Sequence, residues 1–400
     1  MADLAGALTA AVGAAHVRGT PTGHRVRPAS TEEVAAVLRA ATEHGATEHG
    51  ATVLPIGAGT TVDWLPAPAP DVVLELSRMN AVLEHAAGDL VVHVQAGAAL
   101  ADVQAALAPH GQRLALSSPV PGVTVGGLVA ADLSGPERYL YGTARDLVIG
   151  CTSVLADGTV THSGGKVVKN VAGYDLGKLY TGSHGTLGVL TDVWFRLHPL
   201  PESSRWITAL TPEAGMAAAA IATVRASQVA PSALQVRTQD GAFEVGVQLE
   251  GVTAGIDRRA DAVCTLLTDL QPSVRHEPTP AWGALPDGEV LMTLSFVPSG
   301  LAAVLDAVRS TGAATQLNGS AGVGMLHLGC AAAEAPTVLE CARRSTAAQH
   351  GTTLVRRAPA NGGLDLFGPQ DPALRTLMQR VKDQFDPRHT LAPGRLLGAI

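Results

Sequence analysis

Hydrophobic and polar positions alternate along this chain in short blocks, and the period of the pattern changes repeatedly between that of a strand and that of a helix. Apolar runs such as "VLPIGAG", "DVVLEL" and "DLVVHVQAG" predict buried strands, whereas the apolar positions of "VAAVLRAATEHG" recur at helical spacing. Ser30, followed three residues later by Glu33, forms a capping-box signal at the start of that helix. Strands and helices therefore alternate from the N-terminus to about Leu200.

A second region begins after the proline-flanked segment "HPLPESS" (198–204) and shows a different order of predicted strands and helices. "RWITAL", a helix over 212–226, "SALQVR", "AFEVGVQLE" and a helix over 254–268 form one β-α-β-β-α module. A second module repeats this order with "EVLMTLSF", helix 301–310, "ATQLN", "GVGMLHLGC" and helix 336–349, and the strand "TTLVRR" follows it. Two such modules predict one antiparallel sheet covered by helices on one side.

These patterns predict an α+β fold with two domains and a C-terminal extension. The first domain spans residues 1–200 and opens with a helix at about 1–18; the second spans 201–366. A last helix, "PALRTLMQRVKDQF", and a tail occupy 367–400. A chain of 400 residues is long enough for such an organisation.

Composition narrows the class of protein. The chain is 46% hydrophobic and 16% charged, which favours a well-buried globular protein over a disordered one. Its net charge of −7 and the absence of a basic stripe exclude nucleic acid as an expected partner. No run reaches the roughly 18 apolar residues of a transmembrane helix, and no basic leader precedes the N-terminal apolar run. We therefore expect a cytoplasmic protein, with any contact to the inner face of the membrane made through partner subunits.

The sequence offers no metal site. Cys151, Cys264, Cys330 and Cys341 are scattered without CxxC spacing, which argues against an iron–sulfur cluster or zinc site in this chain. The duplicated "ATEHG" at the end of the first amphipathic helix places two histidines at the surface, where we expect no metal ligands.

Three glycine-rich segments are the candidates for chemistry. They are "PIGAGTT" (55–61), "PVPGVTVGGLVAADLSGP" (119–136) and "VVKNVAGYDLGKLYTGSHGTLG" (167–188). Their glycines allow backbone N–H groups to converge on an anion, and Thr124 before Gly126 and Gly127 marks a helix start that favours a phosphate. The first segment is neither a Walker loop nor GxGxxG. Each segment alone is typical of a simple turn, but their order and spacing together favour anion binding.

The same segments carry a resemblance to a known family. "VLPIGAGT", "PGVTVGGLVA", "YGTARDLVIGCTSVLADGTV", "GGKVVKNVAGYDLGKLYTGSHGTLGVLT" and the terminal "FDPRHTLAPGR" resemble the FAD-binding domain of the vanillyl-alcohol-oxidase (PCMH-type) flavoproteins. Within that superfamily the chain is most similar to the FAD-binding second subunits of bacterial glycolate oxidases, also called glycolate dehydrogenases. The resemblance covers about residues 20–200 and the tail. It implies that the tail returns to the FAD domain and that 201–366 is a substrate or cap domain.

The resemblance also implies a cofactor site for FAD. Residues 56–61 would wrap the pyrophosphate, and Thr124, Gly126 and Gly127 would hold its other side. The backbone near Val189 would receive the adenine, while Gly135, Arg138, Arg145 and Asp146 would follow the ribityl chain or the flavin edge. Because the loop segments lack the His or Cys of covalent relatives, the FAD is expected to be noncovalent. The full expected cofactor set is Pro55, Ile56, Gly57, Ala58, Gly59, Thr60, Thr61, Pro119, Gly122, Val123, Thr124, Gly126, Gly127, Gly135, Arg138, Gly142, Arg145, Asp146, Lys169, Asn170, Gly173, Tyr174, Asp175, Val189 and Arg395.

The catalytic residues are less well marked. Oxidation of a 2-hydroxy acid needs an arginine for the carboxylate and a base for the hydroxyl proton. The catalytic relatives carry a histidine-rich segment, of which "GMLHLGC" with His327 is the nearest analogue. Arg356 and Arg357, at the end of the last strand of the second domain, are candidates for a carboxylate clamp. A solvated arginine pair and a core histidine are the simpler interpretations of these residues.

The resemblance supports an FAD-binding subunit of a 2-hydroxy-acid dehydrogenase complex that acts on an acid such as glycolate. Its expected partners are a sister FAD subunit and an iron–sulfur subunit that receives electrons. Two alternatives are a self-sufficient FAD-dependent oxidase or dehydrogenase of a small hydroxylated substrate, and a flavin-stabilised structural subunit. In each of the first two cases the chain is an FAD-dependent oxidoreductase that acts on CH–OH donors.

Overall fold

The computed structural model of the chain describes residues 4–44, 50–65, 68–166, 173–275, 282–359, 363–397 and 400; the expected cofactor residues Lys169 and Asn170 lie outside these ranges. Up to residue 199 the elements are, in chain order, α1 Leu4–Val12, β1 Val17–Thr20, β2 Gly23–Val26, α2 Thr31–His44, β3 Val53–Ile56, β4 Val72–Glu75, β5 Val82–Ala86, β6 Val91–Gln95, α3 Leu100–Leu107, β7 Gln112–Arg113, α4 Val125–Ala130, α5 Arg138–Tyr141, α6 Ala144–Leu147, β8 Val148–Val154, β9 Val160–Gly164, α7 Leu176–Tyr180, β10 Val189–Arg196 and β11 His198–Pro199.

From residue 203 onward the elements follow the two predicted modules. They are β12 Ser203–Thr211, α8 Ala214–Ala226, β13 Ala233–Gln239, β14 Ala242–Gly251, α9 Thr253–Leu266, β15 Ser273–Arg275, β16 Val290–Ser295, α10 Leu301–Ser310, β17 Gln316–Ser320, β18 Met325–Cys330, α11 Ala335–Ala348, β19 Thr352–Arg357 and α12 Pro372–Phe385. Within the described residues, no helix combines the length and the apolar run that crossing a bilayer requires.

The first part of the chain forms two main sheets over a shared core. In the mixed sheet β1–β2–β4–β3, β4 runs parallel to both of its neighbours, and the sheet β5–β6–β10–β8–β9 is antiparallel. Helix α2 packs beside them and begins with the expected cap. The Glu33 N–H donates to Ser30 Oγ (3.2 Å), and Glu33 Oε2 accepts from the Ala29 N–H (2.7 Å). The sequence signal for this helix start is therefore confirmed.

The second part of the chain forms one antiparallel sheet of order β15–β12–β14–β13–β17–β18–β16–β19. The two modules join through the pairing of β13 with β17, where Val236 lies opposite Gly319. Helices α8 to α11 cover one face, against which Val290, Met292 and Leu294 pack. This arrangement confirms the predicted α+β fold with helices on one side of an antiparallel sheet.

The opposite face of this sheet carries polar side chains and rests on the first part of the chain. Because side chains alternate along a strand, Thr293 of β16 and His327 of β18 project to the face that the helices leave uncovered. The Arg113 guanidinium, from β7, donates to both carboxylate oxygens of Glu250 on β14 at 2.8 and 2.6 Å. The Tyr141 hydroxyl also donates to Glu250 (3.2 Å). A polar junction thus joins the two parts.

The C-terminal tail returns to the first sheet. The Val53 N–H donates to the Thr390 carbonyl and the Ala392 N–H donates to the Val53 carbonyl, both at 2.8 Å. The tail therefore runs parallel beside β3 at Leu391. This pairing brings Arg395 next to the loop that follows β3.

Candidate functional site

A cleft of about 760 Å³, open to solvent, lies where the ends of several strands of the first part meet. We call it the glycine-lined cleft. Its walls come from the loop after β3, the start of α4, the segment between α7 and β10, and the tail. The lining residues are Pro55, Ile56, Gly57, Ala58, Gly59, Thr60, Thr61, Val62, Leu76, Ala96, Val123, Thr124, Gly126, Gly127, Ala130, Ala131, Ser183, His184, Gly185, Gly188, Val189, Leu190 and Arg395.

The loop after β3 presents bare backbone to this cleft. Within the described residues, no hydrogen bond is donated by the backbone N–H groups of residues 57–61. Gly57 is required by packing, since a Cβ there would lie 2.0 Å from Thr124 Oγ1. Successive unpaired N–H groups in a turn form a concavity suited to an anion.

The opposite wall is held close by small residues. A Cβ on Gly126 would lie 2.7 Å from Ala96 Cβ, so only glycine allows α4 to pack this tightly on the end of β6. Thr124 caps α4, and its Oγ1 accepts from the Gly127 N–H at 3.2 Å. The Thr124 hydroxyl thus contributes to local structure as well as to the wall.

Arg395 places a positive charge in the wall of the glycine-lined cleft. The residue is 3% exposed, and its Nη2 donates to the Val62 carbonyl at 3.2 Å. Its Nε and Nη1 are buried and have no partner among the described residues. Burial lowers the pKa of the guanidinium, which the charge of Asp63 opposes. Two unsatisfied N–H groups on a buried cation are costly unless a ligand accepts from them.

Lys382, on α12, holds the tail against the cleft wall. The side chain is fully buried, and its Nζ donates to the carbonyls of Thr186 (2.7 Å) and Leu391 (2.9 Å). It also forms an ion pair with Asp386 Oδ2 at 2.7 Å. One ammonium group therefore connects the segment between α7 and β10 to the tail that carries Arg395.

A second constellation lies between the first part of the chain and the polar face of the eight-stranded sheet. We call it the interdomain site and define it as Asp132, Arg138, Thr293, His327 and Arg356. The Arg356 Nε donates to Thr293 Oγ1 (3.2 Å), which lies 3.1 Å from His327 Nδ1. Burial, and then the charges of Arg138 and Arg356, lower the pKa of His327 to about 3. His327 is therefore neutral at pH 7.

The two arginines of the interdomain site lack carboxylate partners. Among the described residues, Arg138 forms no ion pair and its Nε is buried without a hydrogen-bond partner. Arg356 forms no ion pair there either, and among the described residues its side chain donates one hydrogen bond, to Thr293. Burial lowers the pKa of both guanidinium groups, and the carboxylate of Asp132 opposes this shift. Two desolvated, unpaired cations on facing elements are arranged to receive an anion.

His184 connects the two sites. It lines the glycine-lined cleft, and its N–H donates to the Ala130 carbonyl at 2.9 Å. Burial, together with the charges of Arg356 and Arg395, lowers the pKa of its imidazole to about 3. Its φ of 52° is in the left-handed region, as is the φ of 50° at Asp132. Such backbone strain concentrates at functional sites.

The structure distributes the expected cofactor residues over several places. Residues 55–61 line the cleft together with Val123, Thr124, Gly126, Gly127, Val189 and Arg395. Pro119 and Gly135 instead line a smaller cavity of about 240 Å³ next to His327, between the first part and the sheet. Gly122 lies near the cleft, since a Cβ there would be 3.9 Å from Thr60 Cγ2.

The remaining expected residues have local roles in the structure. The Asp146 carboxylate accepts from the Thr143 N–H (2.8 Å) in a capping box, and a Cβ on the neighbouring Gly142 would lie 2.7 Å from Asp146 Cβ. The Arg145 Nε approaches the Lys178 carbonyl (3.4 Å). Asp175 caps α7, while Tyr174, next to Gly173, is 90% exposed. None of these residues lines the glycine-lined cleft.

Of the catalytic candidates, Arg356 and His327 are brought together but Arg357 is not. Arg357 Nη2 donates to the Gly288 carbonyl at 3.0 Å, whereas Arg356 lies close enough to Arg138 for its charge to lower the pKa of the Arg138 guanidinium. Sequence reasoning missed Asp132, Thr293 and His184. The only signals were an aspartate before "SGP", a polar position in an apolar strand, and a histidine between two glycines.

The chain is similar both to a family model and to individual known proteins. Residues 23–164 match the family model described as "FAD binding domain". An uncharacterized FAD-linked oxidoreductase of Mycobacterium tuberculosis is 27% identical over 94% of this chain and 91% of its own length. The glycolate oxidase subunits GlcE of Escherichia coli and GlcD of Bacillus subtilis are 36% and 32% identical. GlcE is matched over 38% of this chain and 44% of its own length, and GlcD over 54% and 45%.

The fold is shared with solved protein structures. A crystal structure of p-cresol methylhydroxylase with substrate bound superposes with a TM-score of 0.74 at 15% identity, over 98% of this chain and 96% of that chain. The expected PCMH-type architecture is thereby confirmed. The chain carries an FAD-binding domain and is an FAD-dependent oxidoreductase, so FAD as the cofactor and the expected class of enzyme are confirmed, while noncovalent attachment of the FAD stays a prediction.

The residues of the glycine-lined cleft fit such a cofactor. The unpaired N–H groups of residues 57–61 and the two unpartnered nitrogens of Arg395 are donors that suit the oxygens of an anionic dinucleotide. The cleft is also mostly apolar elsewhere along its walls, as in Leu76 and Leu190, which suits the rings of a dinucleotide.

Proposed function

We propose that this chain is the FAD-binding subunit of a 2-hydroxy-acid dehydrogenase complex, with glycolate as the first candidate substrate. A sister FAD subunit and an iron–sulfur subunit would complete the complex and receive the electrons. The similarity to GlcD and GlcE supports this assignment, because both are named as subunits of glycolate oxidase. The sequence lacks the cysteine spacing of a cluster site, so the proposal assigns the cluster to a partner. We also propose a cytoplasmic location, with membrane contact made only through partners.

The observation that carries the 2-hydroxy-acid assignment is that Arg138 and Arg356 form no ion pair within the described residues. A small 2-hydroxy acid has one carboxylate, and guanidinium groups bind carboxylates through paired, charge-assisted hydrogen bonds. The Arg138 Nε is buried without a partner, so a carboxylate between the two arginines would satisfy it. Arg356 donates a hydrogen bond to the Thr293 hydroxyl, and this hydroxyl is also in hydrogen-bond contact with His327 Nδ1. These contacts pre-orient the cation before substrate binds.

FAD, when bound, supplies the two-electron oxidation of a carbon that carries a hydroxyl group. The chain's own residues position the reactants. Residues 57–61, Thr124 and Arg395 would hold the cofactor's anionic part noncovalently through N–H and hydroxyl groups. His184, neutral because of its low pKa, would stand between cofactor and substrate without adding a charge. The sheet face with Thr293 and His327 closes the substrate side against bulk water.

The interdomain site also favours a second candidate, a self-sufficient FAD-dependent dehydrogenase. A subunit that only relays electrons has no need of two desolvated arginines that lack carboxylate partners among the described residues, since burial of such cations is unfavourable unless an anion binds. If the site is complete, this chain alone oxidises its substrate and requires a partner only to accept electrons.

One anaerobic experiment separates these candidates. The chain is purified alone with FAD, and its flavin absorbance is followed after addition of glycolate and then D-lactate. Bleaching by either acid would show a complete active site and support the self-sufficient dehydrogenase. A flavin that stays oxidised alone but bleaches with the sister subunits would support the complex. A chain that binds FAD but fails both tests contradicts the 2-hydroxy-acid assignment.

A further inference from the structure

We propose that Asp132 is a catalytic residue of this site, and that its carboxylate accepts the hydroxyl proton of the 2-hydroxy acid as the substrate is oxidised. This inference rests on the proposed function, because it assumes that a hydroxy acid binds at Arg138 and Arg356. It assigns the base that sequence motifs did not reveal.

The position of Asp132 is the first argument. It follows Ala130 and Ala131, which line the glycine-lined cleft, so its backbone borders the cofactor. A Cβ on Gly182 would lie 3.7 Å from Asp132 Cβ, which places Asp132 against the loop that carries His184. Asp132 is an exposed residue, and within the described residues no group donates a hydrogen bond to its carboxylate. The carboxylate is therefore free to receive a proton from a ligand.

The backbone of Asp132 is the second argument. Its φ of 50° lies in the left-handed region, which aspartate and asparagine tolerate better than other non-glycine residues. Elsewhere in the chain such an aspartate serves a hairpin, as Asp240 does between β13 and β14. At Asp132 the same conformation directs the chain from α4 toward Arg138, between the cleft and the interdomain site.

The charges around Asp132 suit a base. Desolvation by neighbouring protein atoms raises the pKa of its carboxyl, and the charge of Asp146 on α6 adds to this rise. Arg138 on α5, Arg356 on β19 and Arg145 on α6 oppose it. A carboxylate whose pKa is moved toward neutrality accepts a proton more readily at pH 7 than an ordinary aspartate does. The same arginines offset its repulsion of the substrate carboxylate.

The two histidines near the substrate are weaker bases. Both His184 and His327 have a pKa of about 3, because each is buried beside arginines. A protonated imidazole there would add a cation to a region that already holds two or three. The contact of His327 Nδ1 with Thr293 makes it a positioning residue for Arg356.

The proposed step balances with FAD as the oxidant. The hydroxyl O–H bond breaks and its proton moves to a carboxylate oxygen of Asp132. The C–H bond of the same carbon breaks, and its hydrogen leaves with both electrons to the cofactor. The C–O single bond becomes the C=O bond of a 2-oxo acid, and Asp132, an exposed residue, later returns its proton to solvent.

The test compares D132N with D240N in the FAD-loaded chain, together with its partner subunits if the wild type needs them. Asn tolerates the left-handed backbone in both variants, and Asp240 lies on a hairpin outside the two sites. We expect D132N to slow flavin reduction by the better of glycolate and D-lactate by roughly 100-fold or more, and D240N to leave the rate within about twofold, as is usual for surface substitutions.

Oxalate supplies a readout that does not depend on turnover, because it carries no hydrogen to transfer. Protonated Asp132 repels an anion less than the carboxylate does, so oxalate affinity in the wild type should fall as pH rises through the pKa of Asp132. In D132N that dependence should vanish and affinity should be equal or tighter. Binding is followed by the flavin difference spectrum.

The outcomes are distinct. A D132N enzyme that is reduced as fast as D240N, or whose oxalate affinity keeps the wild-type pH dependence, overturns the role of Asp132 and leaves the proposed function standing. Loss of oxalate binding in D132N would also overturn it, because it would show that Asp132 shapes the site rather than accepting the proton. If the wild type with its partners neither binds oxalate nor is reduced by either acid, the proposed function fails and this inference fails with it.

Discussion

The glycine-lined cleft and the interdomain site lie side by side, connected by His184, but they are built from different parts of the polypeptide. The cleft presents backbone N–H groups and small residues from short consecutive segments, with one cation from the tail. The interdomain site presents charged side chains from α5, a helix of the first part of the chain, and from β19, a strand of the eight-stranded sheet, which are far apart in the chain.

This difference separates two kinds of recognition. A cleft lined by backbone N–H donors suits a large ligand that does not vary, such as a cofactor. The geometry of this cleft depends on the positions at which glycine stands in place of a larger residue. A site of charged side chains binds a small, variable ligand, and its geometry depends on how two layers are held together. Substitutions should therefore act on cofactor retention in the first region and on substrate affinity in the second.

The largest expected effect comes from Lys382, which connects the tail to the wall of the glycine-lined cleft. In K382M, the Asp386 carboxylate stays buried without its cation, and the carbonyls of Thr186 and Leu391 lose their donor. Breaking a buried pair by removing one partner costs about 3–5 kcal/mol. We expect the free energy of unfolding, measured in urea, to fall by that amount, and FAD to dissociate more readily.

The matched control for this prediction is K166M. Lys166 also pairs with a carboxylate, that of Glu84, but both side chains are largely exposed. Exposed pairs contribute little to stability, so K166M should unfold like the wild type. Equal stabilities of K382M and K166M would contradict the assigned role of Lys382.

The second effect should be confined to the interdomain site. In R356M, the cation that we assign to the substrate carboxylate is lost, while an unbranched side chain is kept as far as the position of the arginine Nε. A hydrogen bond to a charged group contributes about 1.5–3 kcal/mol, so the oxalate dissociation constant should rise about tenfold to 100-fold. FAD affinity should remain that of the wild type.

R357M is the control for that variant. Arg357 is adjacent in sequence, but its guanidinium donates to the Gly288 carbonyl and not to the interdomain site. The oxalate affinity of R357M should stay within about twofold of the wild-type affinity, because substitutions away from a site usually have small effects. Equal losses in both variants would mean that the strand end as a whole, rather than Arg356, binds the acid.

The smallest expected effect belongs to the cleft. In G57A, the new Cβ meets Thr124 Oγ1 at 2.0 Å and the loop must shift. Overpacking costs about 1–3 kcal/mol, and we expect most of this cost in FAD affinity, measured by fluorescence titration of the apoprotein. G215A is the control, since a Cβ at Gly215 in α8 meets nothing within 4 Å. An unchanged FAD affinity in G57A would show that the loop adapts without loss.

Much of the fold follows from local pattern. Helix α10 occupies Leu301–Ser310, the range that apolar periodicity predicts, and α12 occupies the predicted Pro372–Phe385. The short hairpin β1–β2 and the edge strand β15 were not predicted, because their residues are largely polar or few and their pairing depends on neighbouring strands.

The sequence by itself determined the elements, the α+β class and the glycine segments of the cleft, since a strand, a capped helix or a bare turn is set by residues within a few positions of each other. The tertiary structure alone decided that Arg356 stands with Arg138 and not with Arg357. It also decided that Lys382 ties the tail to the cleft wall and that Asp132 has no hydrogen-bond partner among the residues that the structure describes. These three features depend on which face of a strand packs against another layer of the fold. Burial of side chains and pairing of charges between layers arise only in the assembled structure, and no single segment determines them.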